Sequence, residues 1–273
     1  MSKEFLRHPS GLVGGLLVGL FLLLAAAAPW VATHDPSAGA LEDKNLAPLT
    51  RGHLLGTNEL GQDVFSRLVH GARTSLAIGL GAVLFSMALG IPLGAAAGYF
   101  GGKWEALLMR GVDVLLAFPS ILLAIAIVAS LGRSLSNLIL AVGIVGVPAF
   151  ARQVRASVLV VKQEDYVLAA RALGATWPRM LFLSVLPNCL GPILVLATLG
   201  LAGAILEAAG LGFVGLGPPV GQPEWGADIN LGRKLFLAAP WAMVAPGLGI
   251  ALATLGFNLL GDGLRDVLDP RSS

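Results

Sequence analysis

Long apolar stretches separated by shorter polar ones set the pattern of this chain. A helix needs roughly 20 apolar residues to cross about 30 Å of hydrocarbon, and it satisfies its own backbone hydrogen bonds, as lipid requires. The pattern therefore predicts an all-α membrane protein with six transmembrane helices. The charge-free stretches that predict them are Gly11–Thr33, Thr74–Gly102, Val114–Gly132, Ser134–Ala151, Met180–Leu206 and Leu235–Gly261.

The first apolar stretch admits two interpretations. Its basic start and its small residues resemble a secretory signal peptide, but its apolar run of about 20 residues exceeds the roughly 7–15 of a signal's core. The length favours a transmembrane helix that the protein keeps. Either interpretation leaves the later topology unchanged.

The distribution of Lys and Arg beside the spans predicts the orientation, because positive charge is enriched on the cytoplasmic side. It favours an N-in, C-in arrangement, with Lys103, Arg152, Arg171 and Arg265 among the cytoplasmic charges. The predicted units are a cytoplasmic N-terminus 1–10, helix 11–33, an extracytoplasmic segment 34–73, a membrane core 74–261 with an inner loop 152–187 and an outer loop 207–234, and a cytoplasmic tail 262–273.

The extracytoplasmic segment ends in an amphipathic pattern. Leu60, Val64, Leu68 and Ala72 recur at every fourth position, which is the spacing of one helix face. The pattern predicts a helix along the outer membrane surface before the second span.

Charged residues of that same helix predict an ordinary solvated face. Asp63 and Arg67 have the spacing of an i,i+4 ion pair. Glu59, Asp63 and His70 contain metal-ligating groups, but the solvated face is the favoured interpretation.

Composition agrees with a membrane protein and excludes several classes. The chain is 56% hydrophobic and 12% charged, whereas soluble domains carry about 25% charged residues. The formal net charge of +2 gives no basis for nucleic-acid binding. With Cys189 as the single cysteine and the histidines outside the apolar stretches, we expect no disulfide, no metal site and no bound cofactor.

Two further features of the sequence narrow the range of possible functions. The letters GLGFVG at Gly210–Gly215 match a dinucleotide fingerprint, but they end a membrane helix instead of opening a βαβ unit, so we interpret them as a tight outer loop. Apart from Glu207, Asp113 and Arg110, which lie at or near the ends of apolar stretches, ionisable groups avoid these stretches. This scarcity disfavours a proton- or sodium-coupled secondary transporter or a channel, and the lack of clustered His, Asp or Glu disfavours a membrane enzyme.

The stretch DYVLAARALGATWPRMLFLSVLP, from Asp165 to Pro187, is predicted to lie in the cytoplasm. Tyr166, Ala169, Ala170 and Leu173 form one helical stripe, and Gly174 has the character of a C′ glycine that ends the helix. A second helix is predicted to begin after Thr176, with Pro178 in its first turn, and to continue into the fifth span. The small residues of the stripe suit a protein groove better than lipid.

This stretch resembles the EAA loop of ATP-binding-cassette importer permeases. Ala169, Ala170, Gly174, Leu186 and Pro187 stand at the positions of that motif. Leu168 replaces its Glu and Ser184 its Ile.

Three other stretches, GTNELGQDVFSRLVHGARTSL, EAAGLGFVGLGPPVGQPEWG and FNLLGDGLRDVLDP, are similar to the second permease of dipeptide, oligopeptide and nickel importers. The resemblance implies a type I importer fold in a bacterial inner membrane. It also implies a heterodimer with a homologous permease, two cytoplasmic ATPase subunits that use ATP and Mg, and an extracytoplasmic solute-binding protein.

The resemblance further implies a non-catalytic chain that forms half of a translocation path. The cargo it implies is di- or oligopeptide, with nickel or a nickel chelate as the alternative. A coupling helix would dock on an ATPase, and Leu186 and Pro187 would form a loop-to-helix turn. The implied docking residues are Glu164, Asp165, Tyr166, Ala169, Ala170, Arg171, Gly174 and Ala175.

Overall fold

A computed structural model describes residues 9–219 and 221–268, and this part of the chain is helical and contains no strand. Two π-helical stretches and several 3-10 turns join or end the α-helices, among them Met180–Val185, Leu186–Cys189 and Gly212–Leu216. The α-helices are α1 Pro9–Val31, α2 Val64–Phe100, α3 Gly102–Leu116, α4 Ser120–Leu131, α5 Leu135–Val161, α6 Asp165–Ala172, α7 Trp177–Arg179, α8 Leu190–Leu211, α9 Trp225–Gly232 and α10 Trp241–Leu268.

Within the described residues, five helical rods are long and apolar enough to cross a membrane, and the bent pair α3 and α4 makes a sixth if it counts as one span. The predicted span over Val114–Gly132 is not one straight helix, because α3 and α4 meet at an angle of 85°. The break lies at Pro119, and the residue before a proline is disfavoured in helix. The 12 residues of α4 reach only about 18 Å.

The predicted surface helix before the second span is also wrong. Residues 64–73 begin α2, a single helix of 37 residues. Asp63 caps it by accepting a hydrogen bond from the Ser66 backbone N–H, and no helix breaker follows until Pro92. The apolar face packs against protein, since Val64, Val69 and Ala72 are buried.

Several predicted loop boundaries shift for one reason. Charged side chains end a hydrocarbon span without ending a helix. Thus α5 continues past Arg152 to Val161, and α10 continues past residue 261 to Leu268. The inner connection begins after Val161 instead of at 152, and the outer loop 207–234 contains helical turns and α9. Residues 1–8 of the predicted N-terminus and 269–273 of the predicted tail lie outside the described residues.

Small residues let α2 and α5 pack closely. A Cβ added at Gly90 would lie 2.6 Å from Cβ of Phe150, and one at Gly98 would lie 2.9 Å from the Arg155 carbonyl oxygen. Ser86 Oγ donates a 2.7 Å hydrogen bond across the interface to the Gly143 carbonyl oxygen. Such small-residue contacts and interhelical hydrogen bonds hold helices together in lipid.

Helix α1 packs on α10 in the same manner. A Cβ at Gly14 would lie 2.3 Å from the Leu260 backbone nitrogen, and one at Gly256 would lie 2.9 Å from Cβ of Leu17. Phe21 of α1 also packs edge-to-face on Trp225, with ring centroids 5.7 Å apart. This packing makes α1 an integral part of the bundle and favours the retained-helix interpretation.

The chain runs up and down, so that successive connections alternate between two ends of the bundle. At one end, the Phe100 and Trp177 rings lie 5.3 Å apart. At the other, Arg67 pairs with Asp228 at 2.5 Å, and Arg133 Nε donates to the Gly217 carbonyl oxygen. The predicted cytoplasmic and outer segments thus separate to opposite ends, while their sidedness in the membrane stays a prediction.

Candidate functional site

Helix α6 forms as the sequence predicts and ends in a Schellman motif. Asp165 lies in its first turn, where the helix dipole favours negative charge. At its end, the Ala175 N–H donates to the Ala170 carbonyl and the Gly174 N–H donates to the Arg171 carbonyl. Gly174 has φ +83°, which an L side chain adopts only at a cost. The prediction of a C′ glycine is confirmed.

One face of α6 is fastened to the bundle and the other is free. Val167 is buried, and it belongs to a core formed with Val154, Val158 and Val185, among others. Leu173, at the end of α6, is 90% exposed. The sequence analysis missed Val167 as the anchor, because Val167 lies beside the small-residue stripe that it did identify.

The predicted docking residues lie together on the uncovered side of this segment. Glu164, Tyr166, Ala169 and Arg171 are exposed and Ala170 is half-buried. Leu168, which replaces the Glu of the EAA pattern, is 49% exposed on the same segment. A connected free surface of small and apolar side chains is what a docking helix needs, and its partner stays a prediction.

Contacts at the base of α6 tie the free surface to the membrane helices. Lys162 Nζ donates a 2.6 Å hydrogen bond to the Gly98 carbonyl oxygen of α2. The Phe100 and Trp177 rings meet edge to face. Tyr166 donates its phenolic hydrogen to the Ser184 carbonyl oxygen. These contacts connect α6 and the segments beside it to α2, α5 and the rod that begins at Trp177.

Leu186 and Pro187 do not form the predicted loop-to-helix turn. The rod already begins at Trp177, with Pro178 in its first turn as predicted, and Thr176 stands at the N-cap without a side-chain hydrogen bond. Leu186 and Pro187 lie inside the rod, in a 3-10 stretch that follows a π-helical one. Pro187 lacks an N–H and is accommodated by this local change in hydrogen bonding.

A membrane cavity of about 200 Å³ lies between α2, α5 and α8. Its lining is almost entirely apolar and small, and Ser86 and Glu207 supply the polar side chains. The Ser86 hydroxyl donates to backbone carbonyls of Ala82 and Gly143. Glu207 is half-buried and hydrogen-bonded to Ser120 of α4. Because a carboxyl group at membrane depth is expensive, Glu207 is the lining residue with the strongest functional signal.

The outer end of the bundle is organised by buried polar groups that the sequence analysis missed. Glu224 is fully buried and caps α9, accepting 2.8 Å hydrogen bonds from the Gly226 and Ala227 N–H groups. Burial raises the pKa of Glu224 to about 7, although these hydrogen bonds oppose the rise. A Cβ at Gly212 would lie 2.3 Å from Glu224 Oε2, so this glycine permits the predicted close approach. The predicted tight loop at Gly210–Gly215 is wrong, because these residues end α8 and continue in the π-helical stretch Gly212–Leu216.

The predicted solvated face around Asp63 and Arg67 is wrong. Arg67 is buried and pairs with Asp228 of α9, not with Asp63. Asp63 is buried as well, and its Oδ1 lies 2.9 Å from His53 Nδ1. Glu59 and His70 stay apart from this contact, since His70 Nδ1 lies beside the Ser66 carbonyl oxygen. The connection between α1 and α2 folds back over the start of α2 and covers a helix face that hydrophobic periodicity alone predicted to be exposed to solvent.

Comparisons with known proteins agree on one family. Residues 90–273 match the model described as "Binding-protein-dependent transport system inner membrane component", and residues 1–48 match the "N-terminal TM domain of oligopeptide transport permease C". The second match covers α1 and supports its interpretation as a retained helix.

Curated relatives align along almost the whole chain. The chain is 48% identical to the di/tripeptide transport system permease protein DppC of Pseudomonas aeruginosa, over 98% of this chain and 92% of that protein. It is 45% identical to the dipeptide transport system permease protein DppC of Alkalihalophilus pseudofirmus, over 98% of this chain and 88% of that protein. A solved chain of the inward-facing MetNI methionine ABC transporter is similar in fold, with a TM-score of 0.63 and 20% identity over 74% of this chain and 96% of that chain.

Proposed function

We propose a function from one premise, which is that this chain belongs to the binding-protein-dependent transport system inner membrane component family. It is a multi-pass permease of an ABC importer in a bacterial inner membrane. Proteins of this kind work with ATPase and solute-binding partners. Family membership removes the alternative of a stand-alone secondary transporter or channel.

The cargo in this proposal is a di- or oligopeptide. The observation that carries it is the 48% identity to a permease named for di- and tripeptides, over 98% of this chain. Nickel or a nickel chelate remains the alternative cargo. The chain itself is non-catalytic, and ATP with Mg is used by the partner subunits.

In the proposed assembly, this chain pairs with a homologous permease, and each contributes half of the path. The cavity between α2, α5 and α8 supports a translocation path on this chain's side. Its lining contains small apolar residues together with the carboxyl group of Glu207. A solute-binding protein would deliver the peptide at the outer end, and two ATPase subunits would bind at the opposite end.

The proposed coupling step begins at α6. Closure of the ATPase pair on ATP would move the free face of α6, and the anchored face would carry the motion into the bundle through Val167, Lys162 and Trp177. Rocking of the helices would then expose the path alternately to either side. The two positions of the bundle form a bistable element that ATP binding biases.

Uptake into proteoliposomes tests the cargo. In vesicles whose ATPase subunits face the lumen, the purified assembly should import a labelled dipeptide from its external binding protein only when ATP is present in the lumen. Labelled Ni²⁺, with and without a chelator, is the matched comparison. ATP-dependent uptake of nickel without peptide uptake would overturn the peptide proposal and leave the family assignment intact.

Site-directed cross-linking tests the docking surface. Leu173→Cys places a thiol on a side chain that is 90% exposed, and Leu237→Cys places one on a 97% exposed side chain at the opposite end. The native Cys189 is buried and supplies the unreactive background. We expect Leu173→Cys to cross-link to an ATPase subunit and Leu237→Cys not to. Equal cross-linking, or none at Leu173→Cys, would overturn the docking assignment.

A further inference from the structure

Three metal-ligating side chains from distant positions meet at the outer start of α2. His34 follows α1, His53 lies in the connection, and Asp63 is the N-cap of α2. Among residues 9–219 and 221–268, these are the His, Cys, Asp and Glu side chains that form a group of three with ligand atoms within 4.8 Å of one another. We propose that His34, His53 and Asp63 bind a divalent transition-metal ion, for which Zn²⁺ is the probe.

The separations suit a single ion. Asp63 Oδ1 lies 2.9 Å from His53 Nδ1 and 3.8 Å from His34 Nδ1. Ligands at about 2.0–2.2 Å from a tetrahedral zinc lie about 3.3–3.6 Å from one another. The two observed separations fall on either side of that range, and all three ligand atoms lie within 4.8 Å of one another, so rotation of the imidazoles would close the group around an ion. The two rings are stacked, with centroids 4.4 Å apart and planes at 27°, and this brings both nitrogens to the same carboxylate oxygen.

Neighbouring hydrogen bonds orient the carboxylate for this role. Asp63 Oδ2 accepts from the Ser66 backbone N–H at 2.7 Å and from Thr33 Oγ1 at 3.2 Å. Oδ2 is thereby occupied, and Oδ1 is turned toward the two imidazoles. Outer hydrogen bonds of this kind fix the orientation of metal ligands in characterised sites.

Burial leaves one side of the group open. The side chain of Asp63 is 0% exposed, that of His53 9% and that of His34 40%. An ion could enter beside His34 and keep a fourth position for water. Two imidazoles and one carboxylate favour zinc, nickel or copper over magnesium and calcium, which prefer oxygen ligands. The bound ion would join the end of α1, the connecting segment and the first turn of α2, and this inference does not depend on the cargo.

Zinc binding to the purified assembly provides the test, with all subunits free of polyhistidine tags. Zn²⁺ is titrated in competition with a chromophoric chelator, and Co²⁺ is added separately to give the visible absorption of a low-symmetry site. The variants are His34→Ala and His34→Gln, at the most exposed position of the three ligands. The matched control is His70→Ala, since His70 lies one turn into α2 and outside the group.

At a Zn²⁺ concentration that fills the proposed site, the wild-type assembly should bind one more Zn²⁺ per permease than the His34 variants do. We expect the Zn²⁺ affinity of this site to fall by at least about tenfold in both variants and to be unchanged in His70→Ala. Zn²⁺ should also raise the unfolding temperature of the wild type and of His70→Ala but not of the His34 variants. Zinc binding and cobalt absorption that are the same in wild type and both His34 variants, or absent from all of them, would overturn the proposal.

Discussion

Gly94 of α2 lies against the backbone of Ala151 of α5, so closely that a Cβ on Gly94 would be 2.3 Å from the Ala151 carbonyl oxygen. Backbone atoms cannot retreat as the end of a flexible side chain can. The contact lies at the middle of the α2 and α5 interface, which also lines the membrane cavity. The position of the two helices therefore depends on the absence of a side chain at residue 94.

The first prediction concerns this contact. Gly94→Ala should destabilise the protein by about 1–3 kcal/mol, the usual range for overpacking, because the two helices must separate. The measurement is thermal unfolding in detergent. Gly111→Ala is the control, since Gly111 is exposed on α3 and a Cβ there has no atom within 4 Å. Equal stability of the two variants would show that the interface tolerates the added methyl group.

The second prediction concerns coupling at Gly174. Gly174→Glu should abolish substrate-stimulated ATP hydrolysis while the complex still inserts into the membrane, because a bulky acidic side chain enters the proposed ATPase interface. Gly132→Glu is the comparison for backbone strain: φ is +89° at Gly132 and +83° at Gly174, and neither position has an atom within 4 Å of a Cβ. A side chain is costly at both positions, and more so at Gly132, whose ψ of 166° places it in a region that essentially only glycine populates.

Gly132 lies at the opposite end of the bundle from Gly174, so an effect of backbone strain alone should be at least as strong in Gly132→Glu. We expect normal stimulation in Gly132→Glu. Full coupling in Gly174→Glu would reject the docking assignment, and loss of coupling in both would assign the effect to backbone strain.

The third prediction is a pH dependence set by Glu224. Its folded pKa of about 7 lies above the ordinary glutamate value of 4.5, so from about pH 4.5 to 7 the folded state keeps a proton that the unfolded state has lost. Stability then falls as pH rises through this window and is level above it, by about 3 kcal/mol in total.

The substitution Glu224→Gln should remove this slope. Its amide oxygen can accept from only one of the two N–H groups of Gly226 and Ala227, so the variant is less stable at low pH. The advantage of the wild type in unfolding temperature should shrink from about pH 5 to about pH 7.5. An advantage that stays level over this range would mean that folded Glu224 is already ionised throughout it.

Hydrophobic periodicity and charge predicted much of the fold where a feature depends on local sequence or on bilayer thickness. They did not predict features that depend on packing between distant segments. Hydropathy located the apolar rods because the bilayer imposes a length, and the end of α6 was predicted because Gly174 has a local conformational requirement. The bend at Pro119 and the continuation of α2 into its amphipathic start depend on how segments pack.

Hydrophobic periodicity could not predict the buried polar groups at the outer end, for a different reason. His34, His53 and Asp63 meet only because the connecting segment folds over the start of α2. Arg67 and Asp228 come together across 161 positions of the sequence. No local spacing encodes such contacts. Glu224 does have a local signal, since negative charge at a helix start is favoured by the helix dipole, but glutamate is not one of the usual N-cap residues.

The last prediction concerns Glu207 and the peptide cargo. A free peptide carries an N-terminal ammonium group, and Glu207 is the ionisable side chain that lines the membrane cavity. Glu207→Gln keeps the size of the side chain and its hydrogen bond to Ser120 but removes the negative charge. Uptake of a dipeptide should fall by at least about tenfold, since a charge-assisted hydrogen bond contributes about 1.5–3 kcal/mol.

Two comparisons make this result specific. Ser86→Ala changes the other polar group of the cavity, whose hydroxyl is already bonded to backbone carbonyls, so we expect near-normal uptake. An N-acetylated dipeptide has no ammonium group, so its slower uptake should be the same in wild type and Glu207→Gln. An equal loss for both peptides would mean that Glu207 supports the structure of the path through Ser120 and does not recognise the amino group of the cargo.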